Sequence, residues 1–437
     1  MLRPIQGEIK SMMKEYTFAY GEGTVRASLP EEQVLGVLTG KAVPPLEDIG
    51  DALGQALDHP VEAEPLTSFA RSGHRVAIVI SDITRFWMRQ DLVVPHLIRY
   101  LNERCGVPDR DIVIVVATGT HAHGTDEEMK RLITPEVFGR IRSVYHDCQA
   151  EDLTEIGVTP HGNRILINHE VAAADRVICL GACSHHVMAG YGGGRKSILP
   201  GVSALSTIRY NHLFSLDEKE FRSSSRIGNC VTRGNPLNED MCEAAGLLPH
   251  LFMISLVMNA DMKLAAVIAG HYLRSWEAGC RMIDSFYKIT VPQKADAVIA
   301  SCGGYPKDMS LYQGTKCIDN VEFCLKKGGT LILMMEARDG GGPEEFFGWN
   351  RNLLDGTFEH RLRTQFTIPG YIFLLSCEQA RRYRIMLLST IPAETLRPIG
   401  MESYQDMDTL LKAADLSGKS IYVIPNGNTV MPIPADP

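Results

Sequence analysis

Short runs of β-branched and aliphatic residues recur along the chain, and each run is bounded by polar residues or glycine. This pattern is typical of buried strands. In the first half the clearest runs cover residues 75–80, 111–116 and 176–180, with helical patterns at residues 92–105 and 125–133 between them. Strands that alternate with helices pair in parallel through right-handed crossovers. The pattern therefore predicts an α/β fold.

A second set of apolar runs follows later in the chain. It predicts strands at residues 295–300, 329–334, 382–388 and 420–424. Further helices are predicted at residues 30–38 and 47–57 and from Tyr312 to Lys326. The length of 437 residues exceeds the size at which one hydrophobic core keeps growing. We therefore predict two domains, each with a mainly parallel sheet flanked by helices, and an active site in the cleft between them.

The predicted domain boundaries follow from these two sets of strands. Residues 1–270 are expected to form the N-terminal α/β domain and residues 271–410 the C-terminal α/β domain. Residues 411–437 are expected to return to the N-terminal domain.

Composition and charge narrow the class of partner. The formal net charge is −8 and the isoelectric point is near 6.0, which argues against a nucleic-acid partner. No run of 18 apolar residues and no secretory signal pattern occurs, so we expect a cytoplasmic protein without a membrane partner. The 11 cysteines include no C-x-x-C pair, and most are expected to be reduced and buried.

Three polar sets follow three of the predicted strands. The first set is Asp82, Thr84 and Arg85, the second is Thr118, Thr120 and His121, and the third is His186 and Lys196. Because the carboxyl ends of parallel strands meet at one edge of a sheet, these sets should converge on one crevice, where α/β proteins bind their ligands.

The third set belongs to a glycine-rich loop that contains Gly192, Gly193 and Gly194. Arg195 occupies the position where a Walker A loop has glycine, and the glycine spacing does not match a dinucleotide fingerprint. Two interpretations remain open, an ordinary tight turn or a loop whose backbone N–H groups receive an anion.

The residue types in these sets offer acid/base chemistry. Two histidines can exchange acid and base roles near neutral pH. Arg85 is suited to grip a carboxylate, and a lysine in a glycine-rich loop can bind phosphate or form a covalent link. Asp82 either caps the following turn or orients a neighbour, and His212 is either structural or a metal ligand. No Ser-His-Asp order or H-E-x-x-H motif supports a hydrolase or a metal-dependent lyase.

Five separated motifs resemble those of a known family. They are S-D-x-T-R at residues 81–85, A-T-G-T-H at 117–121, His186 with Lys196 ten residues later, His212 sixteen residues beyond Lys196, and Y-Q-x-x-K at 312–316. In this order and spacing, and over most of the chain, the sequence resembles the nickel-pincer lactate racemases, a family of 2-hydroxy acid racemases and epimerases.

The resemblance implies a cofactor and its ligands. The cofactor is a pyridinium-3-thioamide-5-thiocarboxylic acid mononucleotide that holds nickel, the nickel-pincer nucleotide. By similarity, Lys196 forms the covalent attachment and His212 ligates nickel. The remaining cofactor-binding residues implied are Gly192, Gly193, Gly194 and Ser197. Cofactor-synthesis enzymes are therefore implied partners.

The resemblance also implies a mechanism, proton-coupled hydride transfer through a 2-keto acid. His121 and His186 act as the acid/base pair. Arg85, Gln313 and Lys316 hold the substrate, and Asp82 orients Arg85 or a catalytic histidine. The implied activity is that of a racemase or epimerase acting on a small lactate-like 2-hydroxy acid, and a homo-oligomer is left open.

The sequence departs from the family after the S-D-x-T-R motif. Phe86, Trp87, Met88 and Arg89 stand where proline is expected. They either reshape the pocket for a larger acid, such as malate, an aromatic 2-hydroxy acid or a sugar acid, or pack the following helix. Arg89 and His123 would suit a second carboxylate or a polyol. An alternative from another class is a non-catalytic protein that binds a hydroxy acid or the cofactor.

Overall fold

The computed structural model describes residues 12–435, which form two compact units. The first unit covers residues 41–286. The second unit combines the described residues up to Gly40 with those from Tyr287 onward. Both units are α/β, and each contains a mainly parallel six-stranded sheet, as predicted. Within residues 12–435, no helix combines the length and apolar character needed to cross a membrane.

The strands are numbered in chain order. They are β1 Met13–Tyr20, β2 Gly23–Pro30, β3 Val34–Val37, β4 Val76–Ser81, β5 Ile112–Ala117, β6 Arg142–Tyr145, β7 Thr154–Val158, β8 Arg164–Ile167, β9 Arg176–Ala182, β10 His185–His186, β11 Gly190–Tyr191, β12 Leu251–Met258, β13 Leu264–His271, β14 Lys288–Val291, β15 Ala295–Ser301, β16 Leu325–Met334, β17 Arg384–Leu388, β18 Glu402–Tyr404, β19 Ile421–Ile424 and β20 Met431–Pro434.

The α-helices are numbered in the same way. They are α1 Ile49–Asp58, α2 Leu66–Phe69, α3 Val94–Glu103, α4 Asp126–Ile133, α5 Pro135–Arg140, α6 His169–Ala172, α7 Leu205–Leu213, α8 Pro236–Gly246, α9 Arg274–Tyr287, α10 Leu311–Val321, α11 Glu345–Asp355, α12 Phe358–Thr364, α13 Ile368–Arg382, α14 Ala393–Leu396 and α15 Met407–Ala414.

The sheet of the first unit has the strand order β13-β12-β9-β4-β5-β6. All neighbours are parallel except the edge pair β12 and β13. The predicted strands at residues 75–80, 111–116 and 176–180 are confirmed as β4, β5 and β9. Their side chains are almost entirely buried, which is why they read as continuous apolar runs. The carboxyl ends of these three strands therefore lie at one edge of the sheet.

The helices of this unit begin where the sequence offers caps. Thr125 and Glu128 form a reciprocal capping box at the start of α4, and Asp48 caps α1 through the backbone N–H of Asp51. The predicted helices at residues 47–57, 92–105 and 125–133 are present as α1, α3 and α4 with shifted ends.

The sheet of the second unit has the order β18-β17-β16-β15-β19-β3, and all five pairings are parallel. The strand β19 lies between β15 and β3. Residues 411–437 are expected to return to the N-terminal domain; β19 pairs on one side with β3, from the predicted residues 1–270, and on the other side with β15, from the predicted C-terminal domain. The same pairing places β3 in the second unit, and residues 271–286, which include most of α9, belong to the first, so the unit boundaries differ from the predicted domains.

Two predicted helices are wrong in type or extent. Residues 30–38 form a short 3-10 turn and the strand β3, because Val34–Val37 pairs with β19 from the far end of the chain. The helix predicted to reach Lys326 ends at Val321, because Glu322–Cys324 forms a 3-10 turn and Leu325 already pairs with Ala295.

Candidate active site

The polar sets predicted from the sequence follow β4, β5 and β9, at the shared carboxyl edge of the first unit's sheet. Asp82 comes directly after β4, and Thr118 directly after β5. The loop that follows β5 contacts the end of the glycine-rich loop, where the backbone N–H of Gly119 donates to the carbonyl of Gly201 at 2.9 Å. The sheet topology thus places the predicted acid/base and glycine-loop residues at the same edge.

Asp82 and His121 form the first close pair at this edge. The Nδ1 of His121 lies 2.5 Å from Oδ2 of Asp82. Because a carboxylate accepts, Nδ1 carries the proton, and in the neutral ring Nε2 keeps its lone pair. Asp82 is buried, whereas 42% of the His121 side chain is exposed. The pair therefore presents an accessible imidazole base with a fixed tautomer.

Asp82 also organises the turn that carries Arg85. Its Oδ1 accepts from the backbone N–H and the hydroxyl of Thr84, and Arg85 donates to that hydroxyl at 3.1 Å. Burial raises the pKa of Asp82, but the hydrogen bonds and charge of His121, with smaller contributions from Thr84 and Arg85, bring it below the ordinary value. Asp82 therefore contacts His121 directly and reaches Arg85 only through Thr84.

A two-residue hairpin positions His186. The strands β10 and β11 pair antiparallel, with His185 opposite Tyr191 and His186 opposite Gly190. Nδ1 of His186 accepts from the backbone N–H groups of Met188 and Ala189, both at 3.2 Å. In the neutral ring the proton of His186 is therefore on Nε2.

His186 and Lys196 form the second close pair. The Nζ of Lys196 lies 2.7 Å from Nε2 of His186. The direction of this hydrogen bond depends on protonation: an ammonium at Lys196 can only donate, whereas a neutral amine can accept from a protonated Nε2. The neutral amine is the form in which a lysine acts as a nucleophile.

His212 lies on α7 and is almost fully buried. Its Nδ1 donates to the carbonyl of Ile208 at 2.9 Å, which makes Nε2 the unprotonated nitrogen of the neutral ring. Burial, and to a lesser extent the charge of Lys196, lowers the pKa of His212 to about 4. A neutral imidazole whose other nitrogen is held by a carbonyl is the usual form of a metal-ligating histidine.

The glycines of the loop are required by packing. Gly193 and Gly194 have positive φ angles of 71° and 59°. A Cβ at Gly193 would lie 2.5 Å from the carbonyl oxygen of Ala182, and one at Gly194 would lie 2.5 Å from the indole of Trp276. A Cβ at Gly192 would lie 2.6 Å from Oγ of Ser184. The tight-turn interpretation thus accounts for these glycines, and Ser197, further along the loop, is buried.

Sequence reasoning missed the residues that support this loop. Trp276 on α9 donates from Nε1 to the carbonyl of Gly192 at 2.8 Å. Asp284, two turns later on the same helix, accepts from Tyr191 at 2.8 Å. The spacing of eight residues puts both side chains on one face of α9. The helix α9 is distant from the glycine-rich loop in the sequence. The only sequence features that could have indicated this contact are the helical spacing of Trp276 and Asp284 and the alternation of sides along His185–His186.

Gln313 and Lys316 lie in the second unit, on α10. Nζ of Lys316 donates to Oε1 of Gln313 at 2.7 Å, one helical turn away. The structure therefore brings these two predicted residues together within their own unit.

The residues that stand where proline is expected make contacts with neighbouring residues of the first unit. Phe86 and Trp87 pack against the hydrophobic core of the first unit. Arg89 makes two hydrogen bonds to Asp91, at 3.0 and 2.9 Å. The interpretation that these residues serve packing thus has structural support. The carboxylate that Arg89 binds is that of Asp91, two residues along the chain.

The fold and the paired groups define a class of protein. Two histidines with assigned tautomers, a lysine amine and a neutral buried histidine lie in one α/β unit, which is typical of an enzyme that moves protons with the help of a bound group.

Comparisons with known proteins give the family. Residues 20–224 match the model of the lactate racemase N-terminal domain, and residues 290–432 match that of the lactate racemase C-terminal domain. A lactate racemase from Thermoanaerobacterium thermosaccharolyticum is 30% identical over 96% of this chain and 99% of its own length. A lactate racemase from Lactiplantibacillus plantarum is 32% identical over 77% of each chain. The chain belongs to the lactate racemase family, and it is an isomerase of the racemase class.

Solved structures agree with this assignment. The lactate racemase apoprotein from T. thermosaccharolyticum superposes with a TM-score of 0.86 at 26% identity, covering 96% of this chain and all of that one. A Thermotoga maritima protein superposes with a TM-score of 0.61 at 16% identity, covering 90% of this chain and all of that one, which shows a shared fold alone.

Proposed function

We propose that this protein is a racemase or epimerase of a small 2-hydroxy acid, and that it works with a nickel-pincer nucleotide attached at Lys196. The observation that carries the proposal is the 2.7 Å contact between Lys196 and His186. It joins the predicted attachment residue to one of the two predicted acid/base histidines.

The residues present fit such a group. The Lys196 amine would form the covalent link, and Nε2 of His212 would ligate nickel. Two observations support this set: the carbonyl of Ile208 fixes the tautomer of His212, and burial, with a smaller contribution from the charge of Lys196, lowers the pKa of His212 so that its ring is neutral near pH 7. When bound, the group supplies an acceptor and donor for the hydride at C2 of the substrate.

The protein residues would handle the proton and the carboxylate. His121, oriented by Asp82, would take the hydroxyl proton through Nε2 as the 2-keto acid forms. His186 would be the base for the opposite enantiomer, a role that requires the tautomer with its proton on Nδ1 and with Nε2 unprotonated. Arg85 would bind the carboxylate, and Gln313 and Lys316 are proposed to contribute further polar contacts to the substrate.

The substrate is proposed to be lactate-like. The relatives named above are lactate racemases. Phe86 and Trp87 pack on the core, and Arg89 is paired with Asp91, so these residues give no added support to a larger dicarboxylic acid.

The test is to produce the protein alongside cofactor-synthesis enzymes and to measure its intact mass, its nickel content and the modification of Lys196 by peptide mapping. A chiral assay would then follow the interconversion of D- and L-lactate, with malate and an aromatic 2-hydroxy acid in parallel. We expect one nickel per chain, an adduct at Lys196 and racemisation of lactate.

The variant K196R, which keeps the charge, should lose the adduct, and H212A should lose nickel. R110K alters an exposed arginine and is the matched control. Protein that stays unmodified and free of nickel, under conditions that load a known racemase with the cofactor, would overturn the proposal.

A further inference from the structure

The hairpin that carries His186 has a second face with its own side-chain cluster. Successive residues of a strand point to opposite sides, and residues directly opposite in a pair share a side. His186, opposite Gly190, points toward Lys196. His185 and Tyr191, the other pair, therefore point away from Lys196.

Asp284 on α9 meets this second face. Its Oδ1 lies 3.0 Å from Nε2 of His185, and its Oδ2 accepts from the hydroxyl of Tyr191 at 2.8 Å. The exposed fraction of the side chain is 7% for His185 and 25% for Asp284. The carboxylate is thus held between two polar groups, with limited access to solvent.

Cys230 brings a thiol to the same place. Its Sγ lies 4.0 Å from Oδ1 of Asp284. The ligand atoms of His185, Cys230 and Asp284 all lie within 4.8 Å of one another. An imidazole nitrogen, a thiol and a carboxylate oxygen therefore surround one point.

The backbone is strained where it delivers this thiol. Cys230 has φ 63°, a region that residues other than glycine rarely occupy. Its N–H donates to the carbonyl of Gly190 at 3.0 Å, and a Cβ at Gly190 would lie 2.5 Å from the carbonyl oxygen of Val231. Close packing against the hairpin thus holds the strained residue in place, and such strain is concentrated at functional sites.

We propose that His185, Cys230 and Asp284 bind one zinc ion, at a site separate from the Lys196 and His212 side of the loop. Nitrogen, thiolate and carboxylate ligands together suit Zn²⁺, and three protein ligands leave a fourth position for water or the Tyr191 oxygen. Bonds of about 2.0–2.3 Å place tetrahedral ligand atoms roughly 3.5 Å apart, so small side-chain movements suffice.

Zinc binding must release protons. The Cys230 thiol loses its proton to solvent and becomes a thiolate, and zinc displaces the proton on His185 Nε2, so that the ring binds as the neutral tautomer with its proton on Nδ1. The bound ion would tie the hairpin, the loop that contains Cys230 and helix α9 together. Its role would be to fix the hairpin that positions His186.

A second cluster in the same unit serves as an internal comparison. His161, Asp240 and Glu243 also bring ligand atoms together. However, Asp240 is fully buried and its carboxylate accepts from Thr159, Asn163 and Asn211. The three donors to Asp240 are not members of its cluster, whereas Asp284 is held by His185, itself a proposed ligand, and by Tyr191, which can supply the fourth ligand. The second cluster is therefore not proposed as a metal site.

The test uses the full chain produced without the cofactor-synthesis enzymes, so that no nickel cofactor is loaded, and stripped with a chelator. Titration with Co²⁺ as a spectroscopic substitute for zinc should show one bound ion with a sulfur-to-cobalt charge-transfer band. C230S should abolish that band, whereas C242S should keep it because Cys242 contacts Asn238 instead.

The affinity for Zn²⁺, measured by competition with a chromophoric chelator, should fall at least ~100-fold in D284N and in H185A, since each removes a ligand. H161A, in the comparison cluster, should bind Zn²⁺ as the wild type does. Circular dichroism would verify that each variant is folded.

Two outcomes would overturn the proposal. One is a stripped wild-type protein that takes up no Co²⁺ or Zn²⁺. The other is binding without a charge-transfer band and with the same affinity in C230S and D284N, which would show that the ion sits elsewhere. Neither readout depends on racemase activity, so the zinc site and the proposed reaction are tested separately.

Discussion

The guanidinium carbon of Arg195 lies 3.9 Å from the centre of the Trp276 ring, inside the glycine-rich loop. Arg195 is fully buried, and burial lowers the pKa of its guanidinium. Its hydrogen bonds go to neutral oxygens, the carbonyls of Ala189, Tyr191 and Gly193 and the side-chain amide of Asn238. The loop thus folds around a buried cation, and carbonyl oxygens of the loop take the place of water as its hydrogen-bond acceptors.

Replacement of Arg195 by lysine should therefore destabilise the protein although the charge is kept. One ammonium cannot reach the same acceptors as the planar fork, so buried carbonyls lose their donors. We expect a loss of about 2–4 kcal/mol in the free energy of unfolding, measured with urea. R110K, at an exposed arginine, should change it by less than about 0.5 kcal/mol. Equal stability of R195K and wild type would refute the account.

Substitution of Gly194 by alanine should disrupt the same loop. The residue has φ 59°, and a Cβ would meet the Trp276 indole at 2.5 Å. We expect a lower melting temperature and, in the loaded enzyme, reduced attachment at Lys196. The matched control is G54A in α1, where nothing lies within 4 Å of the added carbon. Alanine there should stabilise by roughly 0.5–1 kcal/mol. If G194A were as stable as G54A, close packing against Trp276 would not explain why residue 194 is glycine.

Local pattern predicted the part of the fold that is locally encoded. The strands β4, β5 and β9 are apolar runs in the sequence. Because the carboxyl ends of parallel strands share one edge of a sheet, the sequence also predicted that Asp82 and His121 lie close together. The strand β3 was missed because its pairing with β19 joins opposite ends of the chain. The glycine loop was ambiguous for the same reason, since its partner Trp276 lies on a distant helix. Pairing of distant segments leaves no local trace in the sequence.

Substitution of Asp82 by asparagine should impair catalysis more than folding. The amide can donate to Nδ1 of His121, which would favour the tautomer with its proton on Nε2 and remove the proposed base. We expect kcat for lactate racemisation to fall ~10²–10⁴-fold with a smaller change in KM. D91N, which disturbs the Arg89 pair on the next turn, is the control and should keep most of its activity. An unchanged kcat in loaded D82N would show that His121 needs no orienting carboxylate.

Glu322 should make the stability of the protein depend on pH. Burial raises the pKa of its carboxyl to about 7, with Arg382 and Lys294 opposing the rise and Glu378 adding to it. Arg382 lies 3.1 Å away, and 15% of the Glu322 side chain is exposed. Because the folded protein holds this proton more tightly than the unfolded chain does, the contribution is present at low pH and is lost as pH rises through 7.

The expected loss from this one group is about 3 kcal/mol between pH 5 and pH 8. In E322Q the amide stays neutral, so its free energy of unfolding, measured with urea across that range, should fall less steeply than that of the wild type. E378Q removes a negative charge that raises the pKa of Glu322, and it should move the wild-type loss to lower pH. E344Q, at an exposed position, should leave the wild-type curve unchanged. Parallel curves for E322Q and wild type would mean that Glu322 is ionised in the folded protein throughout this range.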